Sequence, residues 1–232
     1  MTELDREREY LHLEAKTPEE RLAFAVSTFG DRLLFTSSFG AQSAVLLHLW
    51  SRVANDLPVV FIDTGFLFPE TIRYRYELVA RLGLRIHVLT PDVPNADFVA
   101  RYGSDIQRTD PDFCCGLNKV APIAPLKEKA LGWVSGLRRD QGKTRANVEI
   151  LEQDGHLVRV HPLATMTKSD VAAYLARHAL PAHPLVERRY LSIGCAPCTR
   201  ALGPDEDELD DERAGRWSWS GKTECGLHAR AR

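Results

Sequence analysis

Five cysteines hold most of the chemical possibilities of this chain. Two are adjacent, Cys114-Cys115, at the start of a segment that reads as a helix, FCCGLNKVAPIAPLKEKAL. Two more form Cys195-Ala-Pro-Cys198. A C-x-x-C spacing puts two sulfurs on one side of a turn, and four thiolates satisfy a structural zinc ion or a [4Fe–4S] cluster. Zinc sites usually take two separated pairs, each chelating across a short gap. An adjacent pair chelates one ion awkwardly, whereas each of its sulfurs can take a different iron of a cubane. The spacing therefore favours a cluster on Cys114, Cys115, Cys195 and Cys198 over zinc. The plainer alternative makes Cys114 and Cys115 core thiols and the other two an independent redox couple, which leaves the adjacent pair unexplained. Lys119 falls one helical turn beyond Cys115, where a cation offsets the charge of a thiolate-ligated centre. Its plain reading is a solvated lysine.

The fifth cysteine, Cys225, lies in GKTECGLHARAR near the C-terminus. An odd count argues against a closed disulfide framework. Lys222 and His228 flank Cys225, and either cation favours a thiolate. Gly221 and Gly226 let the segment bend, and Arg213, Arg216, Trp217 and Trp219 precede it. The pattern reads as a lid carrying a nucleophile and anion-binding arginines. The alternative is a loose thiol without a role.

Three further segments suit an anionic ligand. TSSFGAQS, residues 36–43, joins an apolar strand to a helix, and its small residues (Ser37, Ser38, Gly40) let backbone N–H groups approach an anion at the helix N-terminus. It is neither a Walker loop nor a G-x-G-x-x-G fingerprint. IDTG, with Asp63, Thr64 and Gly65, closes the next strand. GLRRDQGKTR supplies Arg138, Arg139, Lys143 and Arg145, whose guanidinium forks match phosphate and sulfate oxygens. Each segment alone is also compatible with an ordinary turn or a solvated basic loop.

These residues need a frame. A Thr17–Glu20 capping box opens a helix over 17–28. Apolar runs at LLFT, LPVVFI and LRIHVL read as strands, and the segments after the first two read as helices, the second from Pro69 to about Leu82. Strand–helix alternation implies a parallel sheet with right-handed crossovers. WVSGLR reads as a fourth strand, VEILEQDGHLVRVHPL as a hairpin turning at Asp154-Gly155, and MTKSDVAAYLARHAL as a helix capped by Thr167. Regular patterns fade after Pro181. The expected organisation is one α/β domain over 1–203 and an appended tail over 204–232. Bulk properties narrow the class. The net charge of −2 gives no support for a nucleic-acid partner. No apolar run reaches the length of a membrane span, and the charged N-terminus lacks a secretory stretch, so a soluble cytoplasmic protein is expected. A homo-oligomer stays open.

Taken together, SSFGAQS, DTGFLFPET, CCGLNK, GLRRDQGKTR, CAPC, RAGRW and KTECGLH resemble the assimilatory sulfonucleotide reductases, specifically the thioredoxin-dependent adenylyl-sulfate (APS) reductases, from about residue 20 to the end. The resemblance implies a Rossmann-like parallel sheet of the adenine nucleotide alpha hydrolase type with a mobile C-terminal tail. It implies that Cys225 attacks the sulfur of the sulfonucleotide, that AMP departs, and that thioredoxin, or a glutaredoxin-like protein, releases sulfite from an S-sulfocysteine. Cys114, Cys115, Cys195 and Cys198 would ligate a redox-inert [4Fe–4S] cluster, and Lys119 would couple its charge to the substrate sulfate. Ser37, Ser38, Gly40, Asp63, Thr64 and Gly65 would hold the nucleotide. Arg138, Arg139 and Arg145 would face the phosphosulfate, joined by Arg213, Arg216 and His228 when the tail closes.

One departure bears on the substrate. Cluster-bearing members usually carry acidic residues after FGA, where this chain has Gln42 and Ser43. That loop is closer to the cluster-free reductases that use the 3′-phosphorylated substrate, PAPS. Two rivals remain on sequence grounds. An ATP-using thiolation or adenylyl-transfer enzyme wants a Ser-Gly-Gly-x-Asp-Ser type loop, which TSSFGAQS lacks. A non-catalytic zinc-stapled module leaves Cys225 incidental.

Overall fold

The computed structural model describes residues 12–206 and 212–227. Strand–helix alternation organises the first half. Helix α1 (Pro18–Phe29) starts at the expected capping box, with the Thr17 hydroxyl accepting from the Glu20 amide and the Glu20 carboxylate accepting from the Thr17 amide. Strand β1 (Leu33–Thr36), helix α2 (Ser43–Val53), strand β2 (Val59–Ile62), helix α3 (Pro69–Leu82) and strand β3 (Ile86–Leu89) follow. Short helices α4 (Asn95–Tyr102), α5 (Ile106–Thr109) and α6 (Pro111–Cys115) lead to α7 (Ala121–Lys129). Strand β4 (Gly132–Val134), the hairpin β5 (Leu151–Asp154) and β6 (Leu157–Val160), and α8 (Lys168–Arg177) complete the frame.

The sheet order is β3-β2-β1-β4-β6-β5. All pairings are parallel except β5 with β6. Successive strand residues point to opposite faces, and in the inner strands β1, β2 and β4 both faces are buried, as parallel strands with covering helices require. On one face Phe35, Val59, Phe61 and Val134 pack with the apolar sides of α1, α2 and α3. On the other, Leu34, Val60 and Trp133 pack with Ile123 of α7, and Leu227 of the tail joins them.

From β1 the chain winds outward to β2 and β3, then returns to place β4 on the other side of β1. The order therefore reverses between β1 and β4. At such a switch point the two connecting loops part, and a crevice opens at the carboxyl ends of the strands.

The single helix expected over FCCGLNKVAPIAPLKEKAL is interrupted. Gly116–Val120 form a π-helical turn between α6 and α7. Pro122 and Pro125 have no N–H to donate to the carbonyls one turn back, which weakens the regular ladder there. The wider π turn keeps Lys119, four residues on, near the face of Cys115, and such turns recur at functional sites.

Candidate active site

The crevice at the switch point is built from loops distant in sequence. After β1 it is lined by Ser37, Ser38 and Gly40, and after β4 by Ser135, Gly136 and Arg138. The first loop is held tightly. The Phe39 amide donates to Ser37 Oγ at 3.2 Å, and Ser43 Oγ donates to the Gly40 carbonyl at 2.8 Å. Phe39 itself has φ of 49° and is fully buried edge-on against Phe61. A left-handed aromatic residue is strained, and packing must hold it there. Nothing in the sequence signals that strain.

Four arginines reach this cleft: Arg138, Arg145, Arg213 and Arg216. The tail brings two carboxylates with the last pair. Glu212 lies 3.4 Å from Arg138 Nη2 and accepts from Gln42 Nε2 at 3.0 Å, while Arg138 also donates to the Gln42 carbonyl oxygen. Glu224 grips Arg145 and accepts from Arg213. Burial, with Arg145 nearby, pushes Arg213 down to about 10, against the pull of Glu224. Cations desolvated beside one another favour an anion between them. Arg139 departs from expectation. Its Nε donates to the Val148 carbonyl at 2.8 Å and its other nitrogens pair with Glu14, so its guanidinium is committed away from the cleft. Neighbouring residues at a bend point opposite ways, and only Arg138 faces inward.

The IDTG loop is also divided. Ile62 lines the cleft, but Asp63, Thr64 and Gly65 do not. Asp63 Oδ1 accepts from the Gly65 amide at 3.0 Å, closing a local turn. Thr64, fully buried, sets its hydroxyl 3.3 Å from Cys195 Sγ. The loop after β2 thus faces the sulfur pocket, one step to the side of the cleft.

That pocket is lined by Cys114, Cys115, Cys195 and Cys198, with Thr64, Asn118, Lys119 and Trp217 around them. All four thiols are buried. A β-bridge between Leu67 and Cys195 joins the C-x-x-C loop to the segment after β2. Burial, and then the neighbouring cysteines, push the Cys114 thiol up to about 12 and Cys198 up to about 11. Burial also raises Cys115. Buried, clustered thiols such as Cys114, Cys115 and Cys198 resist ionising unless a positive centre stands among them. Asn118 Nδ2 lies 3.7 Å from Cys114 Sγ, and the buried Trp217 Nε1 has no hydrogen-bond partner beside this pocket. An unmet N–H among sulfurs suits a sulfur-rich acceptor. Four buried thiols lining one pocket, with an unmet indole N–H beside them, are a donor set that fits an iron–sulfur group.

Lys119 lines both the sulfur pocket and the cleft. Burial works to lower its pKa, but the neighbouring sulfurs of Cys195 and Cys225 outweigh that and hold it above the ordinary lysine range. Cys225 is half-buried, lines the cleft, and packs against the group containing Cys195, Cys198 and Trp217. Two close approaches seat the tail. A Cβ on Gly215 would come 2.4 Å from the Arg200 carbonyl oxygen, and one on Gly194 would come 2.4 Å from Arg216 Nη2. Lys222 does not face Cys225 freely, because its ammonium is tied to Asp112 and to the Pro111 carbonyl. His228 lies outside the described residues.

Residues 32–201 match the phosphoadenosine phosphosulfate reductase domain. A protein of Chelativorans sp. named adenosine 5′-phosphosulfate reductase is 42% identical over 233 aligned residues, which cover 97% of this chain and 93% of that protein. This chain belongs to the phosphoadenosine phosphosulfate reductase family. A Streptomyces coelicolor relative of the same name as the Chelativorans protein is also 42% identical, covering 96% of this chain and 92% of the relative. The family fold is seen in a Candida auris phosphoadenylyl-sulfate reductase crystallised with phosphate, at a TM-score of 0.74 and 25% identity, covering 84% of this chain and 96% of that one. A Candida glabrata FMN adenylyltransferase shares the fold at a TM-score of 0.55 and 16% identity, with 88% and 68% of the two chains covered. Among the described residues no helix is long and apolar enough to cross a membrane.

Sequence reasoning missed three participants in the cleft: Ser135, Glu212 and Glu224. Each is an ordinary residue type whose partner is remote in sequence, so no local pattern marks it.

Proposed function

We propose that this chain reduces adenylyl sulfate to sulfite and AMP in sulfate assimilation, in the cytoplasm, with thioredoxin or a glutaredoxin-like protein as the reductant. One observation carries the reading: Cys225 shares a cleft with the Ser37–Gly40 loop and with Arg138, Arg145, Arg213 and Arg216. The names of the relatives supply the substrate.

The Cys225 thiolate attacks the sulfate sulfur. A sulfur–sulfur bond forms, the bond from sulfur to the bridging oxygen breaks, and its electron pair leaves on the phosphate of AMP. Negative charge grows on that oxygen, and arginines already placed around the cleft stabilise it without reorganising. The adduct is an S-sulfocysteine. A thioredoxin thiolate then attacks Cys225 Sγ and expels sulfite, and the second thioredoxin thiol resolves the mixed disulfide, regenerating Cys225. For that exchange the tail over 204–232 has to leave the domain over 1–203, breaking the Glu224 and Lys222 contacts. His228 is assigned, by resemblance, to the same closed arrangement.

Cys114, Cys115, Cys195 and Cys198 would hold a [4Fe–4S] cluster. When bound, the cluster supplies a fixed, redox-inert charge next to Lys119, which faces the substrate sulfate. Thr64 and Trp217 point a hydroxyl and an N–H at the same pocket. The preference for APS over PAPS is supported at Glu212, which accepts from Gln42 and adds a carboxylate to a loop whose neutral amide by itself leaves room for a 3′-phosphate.

Incubation of the holoprotein with APS, without thioredoxin, adds one sulfo group to the Cys225 peptide by mass spectrometry, and later addition of thioredoxin removes it with release of sulfite. An unmodified peptide in protein that turns over would sink the covalent route.

A further inference from the structure

Ser135 follows β4 and lines the cleft, yet it is only 4% exposed. Its hydroxyl lies 2.8 Å from Nδ1 of His161, a fully buried residue at the end of β6. The other ring nitrogen, Nε2, faces Oε2 of Glu152 on β5 at 3.5 Å. Glu152 is itself buried, and its Oε1 accepts from the Glu149 amide at 3.4 Å. Three neighbouring strands thus set Ser135, His161 and Glu152 in one line that ends at the cleft. The backbone holds this line in place: the Ser135 amide donates to Val160 O at 3.0 Å and the His161 amide to Ile150 O at 2.8 Å. None of the steps above uses these residues.

The line has a direction. Nε2 makes no hydrogen bond, and a carboxylate oxygen 3.5 Å away disfavours a bare lone pair there, so the geometry favours the proton on Nε2 and Nδ1 as the acceptor. Ser135 has one hydroxyl proton, and Nδ1 takes it. The oxygen then offers the cleft lone pairs and no donor. A serine oriented in this way pairs with a hydroxyl and is mismatched to an oxyanion.

We infer that Ser135 reads a ribose hydroxyl of the bound nucleotide, accepting its hydrogen bond, and that His161 and Glu152 are positioning residues that fix this polarity. The inference rests on the sulfonucleotide reading of the cleft. It adds a selective element to that reading: a ribose oxygen carrying a phosphate has no proton to give and sets negative charge against the serine lone pairs. A site that expects a donor discriminates sharply against a ligand lacking one, because its acceptor is left unmet.

The test is equilibrium binding of AMP, 2′-deoxy-AMP and 3′-deoxy-AMP to the holoprotein. The wild type binds AMP roughly 5- to 10-fold more tightly than one of the two deoxy nucleotides, the range of a single neutral hydrogen bond. In Ser135→Ala that ratio falls to about one, because AMP binding weakens to the level of the deoxy nucleotide. His161→Leu, checked for folding by its thermal midpoint, gives the same collapse of the ratio, a readout that mere loss of packing would not select. An unchanged ratio in Ser135→Ala overturns the inference, as does an equal loss for all three nucleotides. Absence of AMP binding to the wild type overturns the sulfonucleotide reading itself, and the inference with it.

Discussion

Glu224 holds Arg145 at two points, with Nε to Oε1 at 2.6 Å and Nη2 to Oε2 at 2.8 Å, one residue before Cys225. Both groups are largely buried. The fork-to-carboxylate fit fixes the direction as well as the distance of the tail. The nucleophile's position is thus set by an ion pair whose members lie far apart in sequence, and by Lys222 on Asp112 at the other side.

Arg145→Lys keeps the charge and loses the fork. The tail docks less firmly, and kcat/KM for APS falls by roughly 10-fold or more, the scale of one charge-assisted hydrogen bond. Limited proteolysis reports the docking directly: cleavage after Arg213 or Arg216 becomes faster in the variant. Equal cleavage rates together with unchanged kcat/KM would remove the pair from tail closure.

Gly194→Ala tests Arg216 without touching it. The new Cβ would meet the far end of the Arg216 side chain. A flexible guanidinium can swing aside, so stability changes little, but the cation leaves its place over Gly194 in the cleft. KM for APS rises roughly 10-fold while the thermal midpoint holds. A lowered midpoint with normal KM would make Gly194 a packing residue only.

Cys198→Ser removes one of the four sulfurs from the buried pocket. The purified protein loses its visible iron–sulfur absorbance and its iron content, whereas Cys225→Ser keeps both and loses sulfite release. Colour retained in Cys198→Ser would mean the four sulfurs do not share one centre.

His183 gives a pH signature. It is fully buried, with Nε2 3.0 Å from the Thr71 hydroxyl and Nδ1 accepting from the Leu185 amide at 3.1 Å. Burial pushes it down to about 4, against a small pull from Glu70. The folded pKa lies below the ordinary value of about 6.5, so the unfolded chain binds a proton that the folded one refuses. Stability is complete above about pH 6.5, is lost as pH falls toward about 4, and levels off below that, by up to about 3 kcal/mol. Urea unfolding of wild type and His183→Gln between these limits checks it. The variant shows the shallower slope, and identical slopes would contradict the assignment.

The local rules of the chain were readable from residues alone. Thr17 and Glu20 bracket α1 because a hydroxyl and a carboxylate three residues apart satisfy each other's amides. Thr167 and Asp170 do the same for α8, and Pro69 opens α3. Apolar runs bounded by turn residues marked β1, β2 and β3, and Asp154-Gly155 marked the hairpin. The four paired cysteines were conspicuous because an adjacent pair and a C-x-x-C pair together supply the four thiolates of one metal centre. All of these signals act within one turn or one strand.

Folding decided which side each loop serves. Thr64 read as a nucleotide residue, yet the end of β2 turns it toward Cys195. Arg138 and Arg139 are equivalent in a string of letters, but only one faces the cleft, because the next guanidinium is taken by Val148 and Glu14. Ser135 acquires a polarity only when β6 and β5 lie beside β4. Sequence determined the kinds of groups this protein carries and the elements that bear them. Tertiary structure alone determined which groups meet, because each decisive contact joins strands or loops whose separation along the chain leaves no periodic trace.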